Sequence, residues 1–146
     1  RTVYVDVEKG RIKGFDGDSE TVARVRRHYK TVSEIFGIDP DFVHSWHAGI
    51  HAGATFGKAA ADDPDRWSNS VFTNPRFLHI HTCGAYAPGE ICWMVLDPTV
   101  SVDGKDLWRS GRLSIDEFEP LRRQLEKWPV LAELLANPSN DIGVPT

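Results

Sequence analysis

Phe77-Leu78-His79-Ile80-His81-Thr82-Cys83 decides how this chain is read. Its residues alternate strictly, as they do along a half-buried strand. His79, His81 and Cys83 share one face; Leu78, Ile80 and Thr82 share the other. Working outward, Gly84-Ala-Tyr86-Ala-Pro-Gly89 reads as a loop. Glu90 to Val95 then begins a second strand, with Glu90, Cys92 and Met94 on one side.

Upstream lies Phe42-Val-His44-Ser-Trp46-His47-Ala-Gly-Ile-His51-Ala-Gly53. Alternation puts His47, Gly49 and His51 on one strand face with Ser45. Helical winding would group His44, His47 and His51 instead. Gly49 and Gly53 oppose a helix, at about 1 kcal/mol each relative to Ala. A strand ending in a glycine-rich turn is expected. Histidine is the commonest metal ligand, and five of the chain's 6 histidines and both cysteines fall between His44 and Trp93. That crowding is the one feature that asks for a chemical explanation.

The flanks read as a framework. Residues 2–7 alternate β-branched and aromatic residues, a strand signal. Glu8-Lys9-Gly10 turns into a return strand over Arg11–Phe15, weakened by Gly14 and ended by Gly17. Asp18 or Ser19 caps a helix to about Phe36, with Val22, Val25, Tyr29, Val32 and Phe36 as its apolar stripe. Gly37 suits the position just past its end. His28 lies among the helix's charged residues and carries no assigned function. Residues 57–76 read as a polar connection with a short helical piece near 58–62. Within it Asp62-Asp63-Pro64-Asp65 lacks the glycine and distal glutamate of a calcium loop, so it reads as a cap or turn. Pro98–Val102 is expected to continue the sheet after a break at Asp97-Pro98. Asp103-Gly104 is a hairpin signal, with Leu107-Trp108 on the return. Ser114-Ile-Asp-Glu117 has the form of a capping box. It predicts a helix with Phe118, Leu121 and Leu125 on its stripe, stopped by Pro129, and a second helix over Val130–Ala136. The fold expected is α+β: a mixed or mainly antiparallel sheet packed against a long helix, with C-terminal helices.

The 146 residues fit one domain. A net charge of −4 gives no basic footprint for nucleic acid, and no apolar run approaches the ~20 residues of a membrane span. Two cysteines beside histidines are no disulfide framework and point to a reducing, cytoplasmic setting. The chain opens with Arg1 and no signal-peptide pattern; a start without Met reads as a fragment of a longer chain, a processed product or a trimmed chain. A missing N-terminal domain or a homo-oligomer partner would then complete the site.

Imidazole nitrogen and carboxylate oxygen together suit iron, zinc, manganese or nickel. Two histidines and a carboxylate on one face of an ion leave positions for substrate and oxygen, as in non-haem iron oxygenases. A histidine among His44, His47 and His51, then His79 or His81, then Glu90, would supply that set. Cys92 is a further candidate ligand. His81 and Tyr86 are the candidate catalytic groups, Tyr86 as a hydrogen-bond donor to oxygen. Trp46 and Trp93 are candidates to line a pocket for a flat small-molecule substrate. Fe(II) is favoured, with Zn(II) or Mn(II) as alternatives; zinc would make the centre hydrolytic.

Over residues 2–113 the order of segments resembles the C-terminal domain of the thermophilic-aminopeptidase-like metalloenzyme family. That family includes leucyl aminopeptidases and the iron-dependent 2,5-dihydroxypyridine dioxygenases. The segments are Lys9-Gly10-Arg11-Ile12, the following helix, Gly49-Ile50-His51-Ala52, Leu78-His79-Ile80 and Pro98-Thr99-Val100-Ser101-Val102-Asp103-Gly104. The resemblance implies that His79 and Tyr86 match a family histidine and the tyrosine seven residues later. It sets Ser45 where the family has a ligand, with His44 or His47 beside it. It sets Glu90 and Cys92 where the family has His-x-Asp. It thus implies a metal-dependent enzyme with a rebuilt ligand set: an oxygenase of small aromatic or heteroaromatic substrates, an aminopeptidase-like hydrolase, or a silent scaffold used in oligomer formation.

Overall fold

The computed structural model describes residues 3–145; Thr2, at the start of the first expected strand, lies outside them. The fold is α+β, with antiparallel strand pairs and four α-helices. The chain divides into two compact units. The first comprises the described residues up to Trp46 together with Ile80–Trp93; the second comprises His47–His79 and the chain from Met94 onward. Among the described residues, no helix is long and apolar enough to cross a membrane.

The first unit opens with the hairpin of β1 (Val3–Glu8) and β2 (Arg11–Gly17), antiparallel with Glu8 opposite Arg11. Lys9 and Gly10 both take positive φ, the signature of a tight two-residue turn. α1 (Ser19–Phe36) follows as an 18-residue helix. Asp18 caps it by accepting from the Thr21 amide at 2.9 Å, and Gly37 ends it in the left-handed conformation. Of its stripe, Tyr29 is buried. The unit also holds the first part of β3 (Val43–Ala48), the end of β4 (Phe77–Cys83) and the start of β5 (Glu90–Leu96). These strands form one sheet in the order β3-β4-β5. The alternation over 77–83 breaks at its end: Cys83 has φ 66, where the strand turns into the 84–89 loop, and the residue is buried.

The second unit is built round Phe56, Trp67, Val71, Phe77 and Ile142. Trp67 also donates its indole N–H to the Ile142 carbonyl at 2.8 Å. The stretch read as a polar connection holds α2 (Pro64–Val71) after a 3₁₀ turn at Ala60–Asp62. Asp63 caps α2, as a capping role for the acidic run predicts. The helix is missed by sequence reading because its interior is polar and only Trp67 and Val71 face the core.

Pro98–Val102 does not continue the sheet. Asp97 turns the chain with φ 50, and β6 (Val100–Val102) forms a separate antiparallel sheet with β7 (Lys105–Arg109) and β8 (Arg112–Leu113). Asp103-Gly104 is the expected two-residue turn, and Ser110-Gly111 is a second one. The capping box at Ser114 is also overturned. Its side chain caps nothing, and Ile115–Glu117 is a 3₁₀ turn. α3 (Glu119–Leu125) starts only afterwards, with Pro120 in its first turn. A helix begun at Ser114 would carry Pro120 in its interior, where proline has no N–H and clashes with the preceding turn. α4 (Pro129–Ala136) ends the helical part.

Arg76 holds the centre of this unit together. It is nearly buried and pairs in bidentate fashion with Asp97 at 2.6 and 2.7 Å. It also donates to Asn140 at 3.1 Å. Fully buried Asn74 donates to the Ala54 carbonyl and accepts from the Arg76 amide. Pairing with Asp97 pushes the Arg76 guanidinium above its ordinary pKa.

Candidate metal centre

Three ligand-type side chains meet in the first unit. β4 carries His81, and β5 carries Glu90 and Cys92 two residues apart, hence on one face. The ligand atoms of these three side chains all lie within 4.8 Å of one another. His81 Nδ1 is in direct contact with Glu90 Oε1. His81 and Glu90 are largely screened, with side chains 23% and 20% exposed, while Cys92 is an exposed residue. Close packing still pushes the Cys92 thiol up, and a backbone hydrogen bond involving Ile80 draws it partly back.

The set offers one imidazole nitrogen, one carboxylate oxygen and one sulfur. Ligands 2.0–2.3 Å from a tetrahedral ion lie about 3.3–3.8 Å apart. A cluster confined to 4.8 Å is therefore within a small side-chain adjustment of closing on one ion. Three such donors on one tetrahedral ion would leave a fourth position open.

Behind this cluster, β4 and β5 present their other face to α1. Thr82 donates to the Ile91 carbonyl at 2.8 Å, which commits its only proton. Tyr29 must then donate to Thr82, and Trp93 Nε1 donates to the Tyr29 oxygen. Every polar atom of this buried chain has a defined role. Phe15 stacks on Trp93 at 5.4 Å and tilts against Tyr29 at the same separation. Burial pushes the Tyr29 phenol up to about 12.

The remaining candidates fall elsewhere. Trp93 lies in the aromatic cluster with Phe15 and Tyr29. Trp46 is half exposed and Tyr86 is 84% exposed on the 84–89 loop. The His44 Nε2 atom is bonded to the Cys83 carbonyl at 2.8 Å. In the second unit, His47 and His79 stack with ring centroids 4.7 Å apart, and Phe72 stacks on His79 at 4.9 Å. His51 is exposed, its backbone amide bound to the Thr73 carbonyl. Among the described residues, His44 and His51 join no group of three metal-type donors. The sequence gives Tyr29, Thr82 and Phe15 places on a helix stripe and two strands, and no hydrogen-bonding role. The buried hydroxyl of Thr82 on the apolar parity of β4 was the available signal.

Comparison with known proteins finds no matching family model, no matching curated protein and no matching solved structure.

Proposed function

We propose that this chain carries the mononuclear metal centre of an enzyme, with His81, Glu90 and Cys92 as ligands. The reaction we assign is oxygenation of a small aromatic or heteroaromatic substrate with Fe(II). The observation that carries the reading is the convergence of nitrogen, oxygen and sulfur donors within 4.8 Å on two strands. An iron ion held there would supply a redox-active site, with Cys92 standing where the two-histidine, one-carboxylate set has its second histidine. The chain's own part is to orient His81 and Glu90 from strand backbones. The Thr82–Tyr29–Trp93 chain fixes β4 and β5 from the other side. Trp46 and Tyr86 supply exposed aromatic surface in the same unit, suited to a flat substrate.

A second reading rests on Cys92. Sulfur in the donor set suits zinc, and zinc with a free position does hydrolysis. Elemental analysis separates the two. Protein purified without chelator is compared with a His81→Ala/Glu90→Ala double variant whose fold is checked by circular dichroism. About one iron per chain, lost in the variant, supports the oxygenase. One zinc per chain, lost in the variant, supports the hydrolase. No metal in the wild type after anaerobic reconstitution sinks both.

A further inference from the structure

We infer that the second unit carries a separate binding site for a small carboxylic acid with an apolar aliphatic or aromatic body. The site is a groove of about 690 Å³ between β8, the Ile115–Glu117 turn, α3 and α4. That volume is ordinary for a small-molecule pocket. Its floor is apolar: Leu113, Ile115, Leu125, Pro129, Ala132 and Ala136.

Two polar groups in this groove are left unused by the fold. The Ser114 hydroxyl oxygen is buried and has no hydrogen-bond partner. A buried polar group left unmatched costs free energy, so such groups call for an explanation. Arg112 is the second. It stands directly across the Ser110-Gly111 hairpin from Arg109, and like charges facing each other across a strand pair repel. Arg109 is neutralised by Asp106 and Glu117, at 2.8 and 2.7 Å. Among the described residues, no carboxylate pairs with Arg112.

Two of the three acids that line the groove are engaged by arginines. Glu117 accepts from Arg109, and Glu126 accepts from Arg122. Asp116 is the remaining lining acid, and its charge acts on Arg122. Among the described residues, Arg112 is thus the lining cation without an ion pair, at an apolar trough that also holds the Ser114 hydroxyl. A guanidinium fork matches a carboxylate in two parallel hydrogen bonds. The apolar floor takes the body of the same molecule.

The test is titration of the full chain with octanoate, followed by calorimetry and by amide chemical shifts. Octanol and octylamine serve as neutral and cationic counterparts. Octanoate should bind with shifts at Leu113, Ile115 and Ala132, and both counterparts should bind at least about tenfold more weakly. Arg112→Gln, at an exposed position, should weaken octanoate about tenfold, and Arg112→Lys should restore part of the loss. Arg123→Gln, which alters a cation that does not line the groove, should leave binding unchanged. Equal binding of octanoate and octanol, an Arg112→Gln variant that binds as the wild type does, or no octanoate binding would each overturn the inference. None of these outcomes depends on the metal centre.

Discussion

Arg76 and His81 each sit at the heart of a polar cluster, and the two clusters are matched in different ways. Around Arg76, donors meet acceptors one for one: two guanidinium N–H groups to Asp97, a third to Asn140, the backbone amide to Asn74. These bonds tie the turn before β4 to the bend after β5 and to Asn140 near the end of the chain. Around His81, within its own unit, Glu90 and Cys92 bring a carboxylate and a thiol, atoms of the kind that hold metal ions. The Cys92 thiol also meets the Trp93 carbonyl at 3.7 Å, so what sets this cluster apart is the ligand chemistry of its atoms. The first is an ion-pair network between residues just outside the ends of β4 and β5; the second sets metal-type donors on the strands themselves.

The sharpest way to break this comparison is Asp97→Asn. It leaves a nearly buried guanidinium without its counter-charge, and the expected loss is about 3 kcal/mol of folding stability. The His81→Ala/Glu90→Ala variant, measured in chelator, should lose less than about 1 kcal/mol, because removing both members leaves no uncompensated charge. Urea unfolding of the two variants gives the contrast directly. Equal losses would mean that the His81 cluster is structural too. Gly111→Ala attacks the same Arg76 network from behind. A Cβ at Gly111 would stand 2.4 Å from Asp97 Oδ1, at a position with φ 75. A loss of about 2 kcal/mol or more is expected.

The Tyr29 chain belongs with the matched networks, and pH tests that placement. Its folded pKa is about 12 against an ordinary value of 10.0. Below pH 10 the phenol keeps its proton in both states. Between pH 10 and 12 the unfolded chain loses the proton while the folded chain holds it, so stability falls as pH rises. The slope should approach about 1.4 kcal/mol per pH unit. Urea unfolding of wild type beside Tyr29→Phe from pH 9 to 11.5 measures it; the variant's profile should be flatter. Parallel profiles would remove Tyr29 from the set of buried, matched groups.

Much of the framework was legible because it rests on local signals. The Lys9-Gly10 and Asp103-Gly104 turns, the Asp18 cap and the Gly37 stop each follow from the chemistry of one or two residues. The strands at 77–83 and 90–96 follow from alternation. What escaped depends on longer range. The sheet of β6, β7 and β8 separates because Asp97 is held at positive φ while its carboxylate serves Arg76, 21 residues away in sequence. The capping box failed because Pro120 outweighs Ser114. Of the candidate ligands, alternation alone placed Glu90 and Cys92 on one face. It did not reveal that Trp93, one residue on, would meet Phe15 and Tyr29 from β2 and α1.

The smallest expected effect isolates backbone geometry from packing. Gly104 has φ 78 in the β6–β7 turn, much like Gly111 in the β7–β8 turn, but nothing lies within 4 Å of a Cβ built on it. Gly104→Ala therefore meets only the cost of a left-handed alanine, about 1 kcal/mol. The Gly111→Ala loss measured beside it contains the same backbone cost plus the displacement of Asp97. Their difference, read by urea unfolding, is the share of stability that the Asp97 carboxylate draws from its exact position against Arg76. If the two alanines cost the same, Asp97 shifts freely and Arg76 tolerates it. The half-buried pair would then be a loose contact, and the contrast with the His81 cluster would have to rest on ligand chemistry alone.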